Sequence, residues 1–315
     1  PVLTVSASRD WDGFHFQSQG EPARMLEVED VVDVSASLLH QRWRRAALLD
    51  VGAEWVTRRY EVRDAPRLRV RDPRDDLFGV WVSAAFANDQ RHAFSISRED
   101  GVSATATIRR RWDLDPHRTD EGTLLDRGYD EALARVSAYK SIPLFGFANH
   151  VIAARGSARL RAGAAPGLFG IGGTTASGID TFVGRVGGTS LLLPVRGFDE
   201  NTRLGTRAWT ASLEYRVPLA SIGRGYRLWP VFLDRLSGAA FVDAGNAWCT
   251  PAQQETLAGC GDIGANDLLV SAGAELGLDV TLFYAGALHL RLGVATPLQG
   301  PDSGTRLYLQ AGPSF

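Results

Sequence analysis

The residues with chemistry to offer are few and scattered. Arg196 stands in "LPVRGF" (Leu193 to Phe198), among apolar neighbours and just ahead of Gly197, whose backbone can turn sharply. A guanidinium at such a tip presents five donors in a rigid fork, the shape a carboxylate accepts. Asp243 lies in "AAFVDAGNAW" and Glu214 in "LEYRVPL", both acids in otherwise strand-like stretches. Cys249 and Cys260 flank one short polar segment. His15, His40, His92, His117, His150 and His289 are dispersed, and His289 beside Arg291 reads as the lining of a polar interior rather than a base. No Gly-x-Ser-x-Gly elbow, metal-binding helix motif or phosphate loop is present. The expectation is therefore a protein that is not an enzyme, with no metal and no cofactor. Its charged residues are suited to ion pairing, not to making or breaking bonds.

The elements that must position these groups are strands. In "WTASLEYRVPL", Trp209, Ala211, Leu213, Tyr215 and Val217 share one face, while Thr210, Ser212, Glu214 and Arg216 share the other. "VSAGAELGLDVTL" repeats the split, with Val270 through Leu282 in steps of two against Ser271, Gly273, Glu275, Gly277, Asp279 and Thr281. "ALHLRLGVATPL", "VSATATIRRRW" and "VVDVSASL" obey the same rule. Asp243 shares its face with Phe241 and Gly245, opposite Val242 and Ala244. About twelve such segments begin near Val2, Val31, Ala46, Gly79, Val102, Ala132, His150, Trp209, Gly238, Leu268, Ala287 and Arg306. Roughly nine to eleven residues each, they are long enough to cross a bilayer at a tilt.

Connections alternate between short and long. "SREDG" (Ser97 to Gly101) and "YAG" (Tyr284 to Gly286) read as short turns. Gly13–Asp30, Arg63–Asp76, Asp113–Asp130, Ala164–Arg207 and Cys249–Asn266 read as long loops. Short turns on one side and long loops on the other are the plan of an outer-membrane barrel. A soluble sandwich or lipocalin-like barrel has the same alternation with the faces reversed. Three features favour lipid. The polar face is rich in small residues with scattered charges, which suits a wet lumen. The apolar face is nearly free of charge along its middle. Trp11, Trp43, Trp112, Trp209, Trp248 and Phe315 gather at strand ends, where interfacial girdles sit.

Composition sets further bounds. The chain has 315 residues and a formal charge of −2, so a nucleic-acid partner is not expected. Lys140 is the only lysine, a bias attributed to genome composition. No run of about 18 apolar residues occurs, so no spanning helix is expected. The whole of 1–315 reads as one barrel domain.

Four motifs then follow in order: "LPVRGF", "LEYRVPL", "AAFVDAGNAW" and a terminal "GPSF". This series resembles the carboxyl-terminal barrel of the superfamily that contains BamA, TamA and the FhaC-type two-partner secretion transporters. The likeness is close from Gly172 to Phe315 and architectural before that. It implies that the 164–207 loop folds from outside into the lumen with Val-Arg-Gly-Phe at its tip. Arg196 would then pair with Asp243 beside Phe241, with Gly197, Phe198 and Gly245 shaping the fit and Glu214 as a second acceptor. An acid on a membrane strand needs such a partner, because an unpaired buried charge is costly. Gly312 and Phe315 resemble the terminal signal by which such barrels are recognised for assembly, and imply that Phe315 ends the protein.

Relatives usually have sixteen strands, so the chain is either a shortened twelve or part of a sixteen whose first strands lie upstream; even count and parity favour a closed twelve. The family's periplasmic docking repeats are absent, and any periplasmic or soluble domain would lie upstream. The resemblance implies insertion or translocation of proteins at the bacterial outer membrane, through a lateral seam or the lumen. Its implied partners are outer-membrane lipid and lipopolysaccharide, an unfolded protein client, and accessory lipoproteins or a second copy. The alternatives are an anchor or exporter for an upstream soluble domain, and a passive porin, which a lumen-filling loop disfavours. Cys249 and Cys260, alone in an external loop of an oxidising compartment, are expected to form a disulfide. Arg42, Arg44 and Arg45 mark a strand boundary, as a solvated turn or a contact with lipid phosphates.

Overall fold

A computed structural model describes residues 1–18, 21–63, 74–118, 124–163, 168–174, 193–225, 229–254, 260, 268–283, 286–301 and 304–312. Its strands, in chain order, are β1 (Val2–Ser18), β2 (Glu21–Arg42), β3 (Arg45–Arg63), β4 (Arg74–Ala87), β5 (Gly101–Asp113), β6 (His117–Arg118), β7 (Leu124–Leu125) and β8 (Tyr129–Ile142). There follow β9 (His150–Gly163), β10 (Phe169–Ile171), β11 (Arg203–Gly205), β12 (Arg207–Gly225), β13 (Val231–Trp248), β14 (Leu269–Leu282), β15 (Gly286–Gln299) and β16 (Arg306–Gly312). Twelve of them make one antiparallel sheet in which neighbours in sequence are neighbours in space; β6 with β7 and β10 with β11 form two small ribbons beside it. A single helical turn, α1 (Pro251–Gln254), follows β13. No helix among the described residues is long and apolar enough to cross a membrane, which says nothing of strands.

The two faces of the sheet answer the question that alternation left open. Side chains on one face, among them Val34, Val82, Ile108, Leu160, Leu213, Val242, Leu276, Leu292 and Leu309, are exposed. Register joins them into rows; Val242, for example, lies opposite Leu213, which lies opposite Ala154. Buried on the other face are Glu54, Arg111, Glu131, Glu214, Asp243 and Glu275. A protein folded in water hides hydrocarbon and exposes charge; this sheet does the reverse, as a barrel with lipid outside and a polar lumen must. The charged face is the concave one. There Arg58 of β3 reaches the Tyr129 hydroxyl on β8, three strands along the sheet, at 3.4 Å.

The outer face also carries an aromatic row near the long-loop end. Trp55, Phe78 and Trp112 are register partners on β3, β4 and β5, and Phe78 stacks on Trp112 at 6.0 Å. Immediately beyond, toward the long loops, lie paired charges, including Asp30 with Arg9 and Arg59, and Arg74 with Asp76. Aromatics followed by charge mark the passage from hydrocarbon to headgroup.

Three expectations need correction. The twelve strands do not close: among the described residues β1 pairs only with β2, and β16 only with β15. Even count and matching parity are necessary for a barrel seam, but closure also needs the right tilt and stagger. The Gly13–Asp30 stretch is not a loop, since β1 and β2 run on as a paired hairpin to Ser18 and Glu21. Each strand satisfies the other's backbone groups past the point where apolar alternation stops. Last, the turn between β4 and β5 is not the short "SREDG". It spans Asn88–Asp100, and its middle turns inward.

Candidate functional site

The site forms where the described end of the long connection between β9 and β12 enters the concave side. Leu193, Val195 and Phe198 pack with Phe169, Ile171, Ala208, Ala247 and Leu269 in one buried apolar cluster. Val195 bridges to Gly173, and β10 pairs with β11, so both arms of the connection are tied before the tip is reached. Gly197 at the tip has φ +93°, which an L side chain strongly resists. A Cβ there would also press on Ala295 and Ser271 at 3.2 and 3.3 Å. Residues 175–192 of the connection lie outside the described residues.

This packing leaves Arg196 3% exposed, with its fork aimed at the wall. Nε donates to Asp243 Oδ2 at 2.7 Å and Nη2 to Asp243 Oδ1 at 2.7 Å, a bidentate pair. The Arg196 backbone N–H adds a third bond to Oδ2 at 3.1 Å. Nη1 donates to Glu275 Oε1 at 3.0 Å and Nη2 to Ser212 Oγ at 2.9 Å. Glu214 Oε1 lies 2.9 Å from Nη2, and its other oxygen is held by Arg216 at 2.6 Å. The guanidinium carbon stacks 3.5 Å above the centre of the Phe241 ring. One cation thus gathers acids from β12, β13 and β14, three adjacent strands.

Two glycines make the room. A Cβ on Gly245 would meet Val195 at 3.0 Å, and one on Gly273 would strike the Phe241 ring at 2.5 Å. Of the residues singled out in sequence, Arg196, Gly197, Phe198, Glu214, Phe241, Asp243 and Gly245 meet at this one place. Glu275, Ser212, Gly273 and the Tyr308 hydroxyl, which donates to Glu275 at 2.5 Å, were not singled out. Glu275 and Gly273 did stand on the polar parity of their strand, a signal that was visible but not converted into a contact.

The remaining candidates lie apart from the lock. Gly312 sits on β16 opposite His289, and Phe315 is outside the described residues. Cys249 and Cys260 are joined in a disulfide, with Cα atoms 5.7 Å apart. Cys260 also bridges to Leu204 of β11, and Thr206 donates to Gln253 of α1 at 2.7 Å, so the disulfide-bearing loop lies against the arm of the inner connection. His289 pairs with Asp279 at 2.6 Å. Among the described residues no group of His, Cys, Asp or Glu is placed to hold a metal.

Comparison with solved structures finds the same fold in CdiB from Escherichia coli. The TM-score is 0.58 at 13% identity, over 98% of this chain and 50% of that one. The chain therefore spans half the length of CdiB. BamA from Haemophilus ducreyi lacking POTRA domains 1–3 aligns with a TM-score of 0.40 at 13% identity, over 98% of this chain and 70% of that one. No protein-family model and no curated protein matches the sequence.

Proposed function

We propose that this chain is the barrel of a bacterial outer-membrane protein that inserts or translocates other polypeptides, without enzymatic chemistry, and that Arg196 locks an inner loop to the barrel wall. The observation that carries the reading is the saturation of Arg196: a bidentate Asp243, two further acids and a ring face, inside a sheet whose outer surface is hydrocarbon. A passive pore gains nothing from a loop anchored across its lumen. A barrel that must open on demand gains a wall stiffened at three strands and a latch that can be released as a unit. The likeness of the motif series to the BamA, TamA and FhaC-type superfamily, and the fold shared with CdiB, support the same direction. The partners proposed are outer-membrane lipid and an unfolded client.

The test is Arg196→Ala with Asp243→Asn beside it. Removing one partner strands buried charge, which costs about 3–5 kcal/mol. Arg196→Ala should still reach the outer membrane but lose its compact, heat-modifiable gel mobility at lower temperature, and client insertion or export should fall. Parental melting together with parental client handling would sink the lock.

A further inference from the structure

The inner end of the lumen holds a feature that neither the lock nor the motif series accounts for. The β4–β5 connection, Asn88–Asp100, does not hug the sheet edge. Ser95, Ile96 and Ser97 are each at most 3% exposed, although they belong to a turn. Their surroundings come from far along the sheet. Arg235, on β13, donates from Nη1 to the Ser95 carbonyl at 2.6 Å. In sheet order β13 lies four strands beyond β5, so the connection reaches across the lumen. Ile96 and Ser97 close a small cavity walled by Arg216, Ser237, Glu275, Gly277, His289 and Arg291. That cavity lies on the inner side of the lock and shares Glu275 with it.

The wall is organised to hold a backbone. Arg235 sits where the pairing of β13 with β14 shifts register between Leu233 and Leu236. Asp234 fixes its Nε at 2.9 Å, Asp279 lies 3.3 Å from the same nitrogen, and His289 braces Asp279 at 2.6 Å. The remaining donor points at a main-chain carbonyl, a group every residue carries. Gly277 lets His289 and Ser237 close in on the wall beside it, since a Cβ there would come within 2.8 Å of both. What the wall reads is one carbonyl next to one aliphatic side chain.

The roots of the connection are firmly tied. Asn88 N–H bonds to Val102 O at 3.0 Å, Gln90 and Glu99 bridge, and Arg98 pairs with Asp89. Asp100 accepts from Lys140 at 2.7 Å, and Asn149 donates to Glu99 at 3.1 Å. Only the middle is held by the far wall, so it can leave while the roots stay.

We propose that the wall around Arg235, Ser237, Gly277 and His289 is a binding site for a polypeptide segment. In the resting barrel the chain's own Ser95–Ser97 occupies it, and a passing client displaces them. This rests on the proposed role in polypeptide transport, and it adds a place where the client is gripped and a plug at the inner end opposite the outer lock.

The test uses the full chain in detergent and two opened forms. In one, Asp89–Asp100 is replaced by an Asn-Gly turn. In the other, Ile96→Trp keeps the connection at full length but overfills the small cavity that Ile96 closes. Heat-modifiable mobility checks that each form is folded. The probes are a fluorescein-labelled peptide of the Gln90–Gly101 sequence and a scrambled peptide of the same composition, read by anisotropy. The parent should bind neither. Both opened forms should bind both peptides within about tenfold of each other, because the contact is to backbone. Adding Arg235→Ala should weaken binding about tenfold or more, the usual effect of losing a charged donor. The site is overturned if neither folded opened form binds, if Arg235→Ala binds as well, or if only the native sequence binds, which would mark a seat dedicated to the plug. No transport is needed for the readout, so its failure leaves the Arg196 lock standing, and failure of the lock leaves this result interpretable.

Discussion

At the scale of single residues, geometry more than charge distinguishes Arg196. Lysine would bring the same charge but only a point donor, unable to serve Asp243 with two parallel bonds while reaching Glu275 and Ser212 and stacking on Phe241. Arg196→Lys should therefore melt between the parent and Arg196→Ala in heat-modifiable mobility; a melt equal to the parent's would show that charge alone suffices. Asp100, at the root of the inner connection, permits a statement about pH. The Lys140 ammonium and Ser141 hold its carboxylate down to about 2, below its ordinary value of 3.8. A depressed acid stabilises the fold above its unfolded value and loses that contribution as pH falls through the folded one. Asp100→Asn should thus be less stable than the parent at pH 6, with the gap narrowing as pH drops from about 4 to 2. The group is half-exposed and screened, so the effect is small. A gap independent of pH would assign the contact to packing.

Among the elements, the connections vary in purpose while the strands are uniform. The outer connection between β9 and β12 is held by an apolar cluster, a small ribbon and the disulfide-bearing loop that lies against it. Closing a short ring limits the unfolded loop, and bridges of this size contribute about 2–3 kcal/mol. Replacing Cys249 and Cys260 with serine should leave β12 to β14 assembled. It should also make the outer connection more open to added protease, followed by fragment mass, and equal cleavage rates would show that the bridge does not support the loop. The β4–β5 connection shows why loop lengths are hard to read. "AFSIS" alternates apolar and polar residues like a strand, so it resembles wall in sequence, yet Phe94 is exposed while Ser95, Ile96 and Ser97 are all buried, which no strand would give. Its partner, through a carbonyl contact, is Arg235, distant in sequence.

For the whole molecule, the solvent decides the sign of every substitution. Leu213 and Val242 face each other across β12 and β13 on the exposed apolar surface. Placing arginine at Leu213 sets a charge in hydrocarbon, at a cost of about 2–4 kcal/mol near the midplane. Denaturant unfolding in lipid vesicles should show that loss for Leu213→Arg, and a stability unchanged from the parent would mean that this face meets water. The sheet also leaves two edges, β1 and β16, without a ladder between them among the described residues. An unpaired edge in lipid is expensive, because no water is present to satisfy its backbone.

The sequence by itself determined the strand class, the count of twelve, the two-faced pattern and the few residues worth watching. Strand periodicity is local: side chains alternate because of backbone geometry, whatever surrounds them. The motif series also pointed to Arg196 and Asp243 together, although Leu193–Phe198 and Ala239–Trp248 lie far apart in the chain. The tertiary structure settled which face looks outward: alternation is symmetric, and small polar-face residues, a charge-free apolar face and terminal aromatics had favoured the apolar side before its exposure was seen. It alone joined Glu275, Ser212 and Tyr308 to the lock, since such contacts depend on register across three strands and on a loop arriving from elsewhere. It alone turned Ser95–Ser97 inward, and it left β1 and β16 apart. Each is set by curvature and long-range packing, which a one-dimensional pattern does not carry.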